Sequence, residues 1–266
     1  MTDYERTARE MVAIQDRVKN LPTGMSADEL LHHQFPPIKW VVPGYIAPGL
    51  TILAGSPKMG KSWLILGIAC ALGVGGCVFS EVWVDPTEVL YLALEDTERR
   101  LKERLLRMQA QPSELIHLRV RWPSGQKALE TLDYWMMAHP KTRAVFVDTL
   151  QRVSGVEDNN NYSETYTAVN GLKQIADKYG IAVVVVHHTS KTVRSDFLHS
   201  VMGSVGLTGA ADTIIAVERQ RGQNIGIMRV TGRDVDEVEI ALRFDSDIGT
   251  WVRCAMPEGM RPWGGT

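Results

Sequence analysis

Cysteine is scarce in this 266-residue chain: Cys70, Cys77 and Cys254 are the only three, and no two form a C-x-x-C pair. That argues against a disulfide scaffold or a thiolate zinc finger and suits a reducing compartment. A charge excess is also missing: 29 basic against 31 acidic residues leave a net charge of −2. No global field therefore draws the protein to nucleic acid or to an anionic membrane, and any such contact must come from a local basic patch. No apolar core segment follows the N-terminal MTDYERTARE, which does not read as a signal peptide. The uncharged stretch Trp63–Phe79, WLILGIACALGVGGCVF, is short for a membrane span and is glycine-broken in its second half. No internal repeat is visible. These absences lead us to expect a soluble, cytoplasmic protein with no membrane partner.

What is present is a globular composition, 44% hydrophobic and 23% charged, in a chain long enough to bury a sizeable core. The first forty residues differ from the rest. Tyr4–Asn20 has a charged helical pattern, and Ser26-Ala-Asp-Glu29 is a capping-box start for a second short helix. A proline-rich connector, FPPIKWVVPGYIAPG, follows. Residues 1–40 are read as a helical arm and linker, and residues 41–266 as the main domain.

From Leu50 onward, short apolar strands alternate with helical patterns. Strands are expected at Leu50–Ala54, Glu88–Leu94, Leu115–Val120, Ala144–Asp148 and Ile181–His187. Helices are expected near Lys61–Leu72, Thr97–Gln109, Gln126–Ala138 and Ser163–Tyr179. That alternation predicts an α/β fold with a mostly parallel sheet flanked by helices. Beyond residue 206, Asp212–Glu218, Ile225–Thr231, Glu237–Asp245 and Thr250–Cys254 read as consecutive strands, a C-terminal antiparallel meander extending the sheet. Glu157–Asn161 reads as a polar loop.

Gly55-Ser-Pro-Lys-Met-Gly-Lys-Ser62 satisfies G-x-x-x-x-G-K-[ST] in full, between a predicted strand and a predicted helix. Its glycines let backbone N–H groups converge on phosphate oxygens, and the helix N-terminus adds a favourable dipole. Gly55, Ser56, Pro57, Lys58, Met59, Gly60, Lys61, Ser62 and the following Trp63 are therefore candidate nucleoside-triphosphate ligands. Lys61 would reach the β- and γ-phosphates and Ser62 would hold Mg²⁺. A metal-positioning carboxylate is also needed on a nearby strand end, and Asp148 closes the apolar strand AVFVD. By itself such an aspartate is more often a helix cap or a turn residue; the phosphate loop beside it favours the magnesium role. Glu95, ending VLYLALE, is placed to polarise an attacking water, whereas Asp96 reads as the N-cap of the next helix. The stretch IAVVVVHHTSK ends in His187 and His188, which could be a metal site, an acid/base pair or polar strand caps. Neighbours on a strand face opposite ways, which disfavours joint chelation.

The phosphate loop GSPKMGKS, the LALED strand end, VFVDT and VVVVHHTSK, in that order, resemble RecA-like ATPases. The likeness is strongest to the compact plasmid RepA-type replicative helicases and related phage and mobile-element ATPases of AAA type, with DnaB and KaiC more distant. The resemblance covers roughly Ile38 to the C-terminus. It implies a RecA-like core assembled as a ring, usually a homo-hexamer, with ATP and Mg²⁺ between subunits and single-stranded DNA in the channel. Glu95 would then be the catalytic base and Asp148 the Walker B residue. His188 would be a γ-phosphate sensor supported by His187, and Arg104 an adenine contact. The loops 151–163 and 189–206 would face DNA, the second through Lys191 and Arg194. Arg233 resembles an arginine finger acting on a neighbouring subunit, although Thr231 stands where DnaB-type rings carry lysine; Arg219 and Arg221 are the alternatives. There is no recognisable primase domain or N-terminal collar. The function implied is an ATP-driven ring motor that unwinds DNA for a plasmid, phage or mobile element, with replication or recombination proteins as further partners. The competing readings are a DNA-dependent or regulatory RecA-like ATPase without unwinding activity, and a small-molecule kinase, which would want an arginine-rich lid that the sequence lacks.

Overall fold

The computed structural model describes residues 11, 24–155, 162–189, 209–220 and 222–257. The chain divides into two units, Met1–Pro37 and Ile38–Thr266. In the first, helix α1 (Ala27–His32) starts at the expected capping box. Ser26 accepts from the Glu29 N–H at 3.2 Å, and the Ser26 N–H donates back to the Glu29 carboxylate at 2.7 Å. The helical pattern expected over Tyr4–Asn20 lies outside the described residues, Met11 excepted.

The second unit is built on a nine-stranded sheet. Its strands are β1 (Gly49–Gly55), β4 (Glu88–Ala93), β5 (Ile116–Arg119), β6 (Thr142–Asp148), β7 (Ala182–His188), β8 (Thr213–Arg219), β9 (Ile225–Gly232), β10 (Val238–Asp245) and β11 (Thr250–Cys254). A separate two-stranded hairpin, β2 (Cys77–Val78) and β3 (Val82–Trp83), was not foreseen. The order is β11-β10-β9-β8-β1-β7-β6-β4-β5. Strands β8, β1, β7, β6, β4 and β5 are parallel, and β9, β10 and β11 continue as an antiparallel meander, as expected.

Helices cover both faces: α2 (Lys61–Val74) and α3 (Glu98–Arg107) on one, α4 (Gln126–Ala138), α5 (Leu150–Ser154) and α6 (Tyr162–Tyr179) on the other. That is why the central strands are continuously apolar rather than alternating: every residue of β1 is buried. Alternation survives in which core each residue joins. On β4, Val89, Tyr91 and Ala93 join the α2 side, while Leu90 and Leu92 join the α4/α6 side. Helix α2 is apolar almost all round, the signature of a buried helix, and Leu64, Ile65, Leu66, Ile68 and Leu72 lie inside. The uncharged stretch from Trp63 is thus a core helix. It stops at Gly75, whose φ of 72° few other residues adopt. No helix of the described residues is long and apolar enough to cross a membrane.

Candidate nucleotide site

Parallel strands deliver their carboxyl ends to one rim of the sheet, where ligands bind in open α/β folds. Gly55 ends β1, Asp148 ends β6 and His188 ends β7, and Glu95 lies in the turn after β4. Backbone hydrogen bonds tie these ends together. Thr189 N–H donates to Gly55 at 3.3 Å, and Leu94 N–H donates to Asp148 at 2.8 Å.

Strand alternation selects which side chains meet. On β6, Phe146 packs on the α2 side, so Asp148 two residues on faces the same way; Val184 and Val186 put His188 there too. His187 follows Val183 and Val185 toward the opposite side, so the two histidines diverge as adjacent strand residues must. Burial pushes the His187 ring down to about 4, with His188 and Lys61 adding repulsion. It is neutral at physiological pH. His188 is also lowered, first by burial and then by Lys61, and is partly restored by Glu95 and Asp148.

The centre of the site is Lys61, 3% exposed. Its ammonium donates to the carbonyls of Gly55 at 2.6 Å and Ser56 at 2.9 Å. Burial drags it down to about 8, against the opposing pull of Asp148 and Glu95. Asp148 is likewise buried, and burial raises its pKa; hydrogen bonds from Ser62 and Tyr91 work the other way, the latter at 3.2 Å. Glu95 accepts from the Thr149 hydroxyl at 3.2 Å and faces His188 Nε2 at 3.8 Å and Arg152 Nε at 4.0 Å. The Asp148–Thr149 peptide is cis.

The Ser62 hydroxyl and the Asp148 carboxylate, already hydrogen-bonded, form an all-oxygen donor pair suited to a hard cation. A buried carboxylate whose ionised form is disfavoured is also one that a divalent charge would stabilise. The residues present fit Mg²⁺.

Behind the phosphate loop lies an aromatic wall that the sequence did not reveal. Trp251 donates from its indole to the Gly60 carbonyl at 3.2 Å and packs on Phe244 at 5.1 Å between centroids. Phe244 in turn lies 6.1 Å from Trp63. A Cβ on Gly60 would meet the Trp251 ring at 2.9 Å, and Gly60 has φ 93°, so only glycine fits.

Three arginines line the wall. Arg104 lies over Trp63 at 5.1 Å and Arg107 at 5.7 Å, while Arg219 lies over Phe244 at 5.2 Å and Trp251 at 5.4 Å. Asp96 is not the N-cap of α3; that position belongs to Thr97, whose side chain accepts from the Arg100 N–H. Asp96 instead holds Arg100 at 2.7 Å and Arg104 at 2.8 Å with its side chain only 6% exposed. Two cap-competent residues sit side by side there, and the one with arginine partners one and two turns on is taken by them.

Arg219 also donates to the Lys58 carbonyl at 3.4 Å, so it belongs to this chain's own phosphate loop. Arg233 sits at the other rim. It pairs with Asp212 at 3.4 Å, and Asp212 accepts from the N–H of Leu50 at the start of β1. Residues 151–154 of the first expected DNA loop lie in α5, and residues 162 and 163 open α6. The central part of that loop, Lys191, Arg194 and Arg221 lie outside the described residues.

Residues 15–194 match the family model described as AAA domain. Among curated proteins, DNA repair protein RadA of Helicobacter pylori, in strains 26695 and J99, is 25% identical over 190 residues. The match covers 70% of this chain and 37% of RadA, so the chain spans well under half the length of those relatives. A solved DnaB-like replicative helicase, studied with its interactions with primase, aligns at a TM-score of 0.67 and 18% identity. That alignment covers 93% of this chain and 71% of the helicase, a likeness of fold. With the family model spanning well over half of its length, and a RecA-like core of parallel strands carrying a phosphate loop, the chain belongs to the AAA domain family of P-loop ATPases.

Proposed function

We propose that this protein is an ATP-driven ring motor that moves along single-stranded DNA, in the manner of the RepA-type replicative helicases. The observation that carries this is the cluster at one sheet rim: Lys61, Ser62 and Asp148 around the phosphate loop, with Glu95 bound to Thr149 and facing His188. Ser62 and Asp148 would hold Mg²⁺, which would supply charge neutralisation at the phosphates. The loop N–H groups and Lys61 seat the β- and γ-phosphates. Glu95, steered by the Thr149 hydroxyl, takes the proton of the attacking water. His188 pairs with Gly55 at the end of the phosphate-loop strand and precedes Lys191 and Arg194 in the chain, so it is the residue through which loss of the γ-phosphate would be passed on. Arg104, held by Asp96 and lying over Trp63, is the adenine contact that the resemblance implies.

The ring part of the reading rests on Arg233. It lies at the amino ends of β1 and β8, roughly 20 Å along the strands from its own phosphate loop, with a side chain 64% exposed. That separation from its own loop supports a role toward a neighbouring subunit's triphosphate, as the resemblance implies. The test is Glu95→Gln against wild type in nucleotide binding and turnover. ATP binding should persist while hydrolysis falls about a hundredfold or more; retained turnover would remove Glu95 from the base role.

The likeness to RadA favours a second reading, a DNA-repair or recombination ATPase that translocates or switches on DNA without unwinding it. The two part on one measurement, strand displacement from a tailed duplex, which only the helicase performs.

A further inference from the structure

At the rim opposite the phosphate loop, three side chains from three elements converge, and the proposed ATPase does not use them. Glu88 opens β4, His117 lies on the edge strand β5, and His139 is the C-cap residue of α4. His117 Nε2 is 3.0 Å and His139 Nδ1 is 2.9 Å from the same oxygen, Glu88 Oε1. One ligand atom from each lies within 4.8 Å of the other two. We propose that this cluster is a binding site for a divalent transition-metal ion of the zinc class.

The geometry is close to what such an ion needs. Donor atoms around a tetrahedral zinc with bonds of about 2.0–2.1 Å lie roughly 3.3 Å apart. Two of the three separations here are already shorter than that and the third is at most 4.8 Å, so small shifts of the two rings bring all three donors to that spacing. Two imidazoles and one carboxylate select zinc, cobalt or nickel over Mg²⁺, which separates this site chemically from the all-oxygen pair Ser62 and Asp148. The ligands are also held in place. The Trp135 indole stacks on the His139 ring at 3.8 Å and 8°, fixing its plane, and meets His117 edge-on at 5.1 Å. The Glu88 side chain is 12% exposed, so its charge is poorly solvated and gains from a cation. Three protein ligands leave a fourth position open to water or a further donor.

An ion there ties the edge strand β5 and the end of α4 to β4. The competing description is a hydrogen-bonded hub in which both rings donate to Glu88 and no metal enters. Metal-stripped protein, titrated with Co²⁺ in excess Mg²⁺ and then challenged with Zn²⁺, separates them. One equivalent of Co²⁺ per chain, with the strong visible absorption of a four-coordinate ion and displaced by Zn²⁺, is expected of the wild type. His117→Gln and His139→Gln should lose that equivalent while keeping a cooperative thermal unfolding transition. The unmutated protein provides a reading independent of folding. Zn²⁺ should shield His117 and His139 from diethyl pyrocarbonate, read by peptide mass. Equal labelling with and without Zn²⁺, or an unchanged equivalent in the double variant, overturns the proposal.

Discussion

The Arg219 guanidinium donates to the carbonyl oxygen of Lys58 at 3.4 Å, anchoring the end of β8 on this chain's own phosphate loop. That contact separates two arginines that the sequence offered for one role. Arg219 contacts its own chain's phosphate loop, and Arg233 pairs with Asp212 at the opposite rim. Arg219→Ala should weaken ATP binding about tenfold, the worth of one hydrogen bond from a charged group near 1.4 kcal/mol. Arg233→Ala should leave binding within about twofold and cut turnover by about 10³. Mixing Arg233→Ala with Lys61→Ala subunits should restore part of the activity, because each supplies what the other lacks. Absence of any rescue would return the finger to Arg219 or Arg221.

Lys61 sets a pH dependence with opposite signs in two measurements. Burial holds its folded pKa at about 8 against an ordinary 10.5. Between these values the unfolded chain binds the proton more, so this residue makes ligand-free stability rise with pH across that window. A triphosphate favours the charged form, so ATP affinity should fall by up to about tenfold per pH unit over the same range. Lys61→Met should lose both slopes; equal slopes in the variant and wild type would assign them to another group.

His187 gives a second titration. Its folded pKa near 4 lies below the ordinary 6.5, so the unfolded chain takes the proton first as pH falls. Stability from this residue is complete above about 6.5 and declines as pH drops toward 4. His187→Gln should flatten that part of the profile in chemical denaturation, and an unchanged slope would show that the ring is solvated.

Trp251 supports the phosphate loop from behind, through the Gly60 carbonyl and through ring contact. Trp251→Phe should cost about 1 kcal/mol, the worth of one net hydrogen bond. Trp251→Ala should cost about 3–5 kcal/mol as a buried ring is lost and should weaken nucleotide binding as well. Thermal unfolding with and without ATP reads both. Full nucleotide affinity in Trp251→Ala would mean that the loop holds its shape unaided.

The fold was legible where periodicity carried it. The span Gln126–Ala138 was read to the residue, and β1 and β7 within a residue at each end, because apolar runs bounded by glycine and polar residues mark buried strands and helices. The two-residue strands β2 and β3 and the five-residue α5 are too short to show a period. Within the site, local motifs were visible: the phosphate loop, the strand-end acids and the histidine pair. Contacts made by distant segments were not. Trp251 and Arg219 join the loop from more than a hundred residues away, and Glu88, His117 and His139 share no spacing rule. The Asp96 reading failed for a local reason: two cap-competent residues adjoin, and arginines along α3 draw Asp96 away from the cap.

A DNA-tracking ring requires that strand engagement and hydrolysis be coupled. The direct measurement is the ATP hydrolysis rate of the full chain with and without single-stranded DNA, taken beside its native mass. Stimulation of roughly tenfold or more in a multi-subunit ring, lost in His188→Ala while basal hydrolysis survives, is expected. A protein that stays monomeric and hydrolyses ATP at one rate whether or not DNA is present is no motor on DNA.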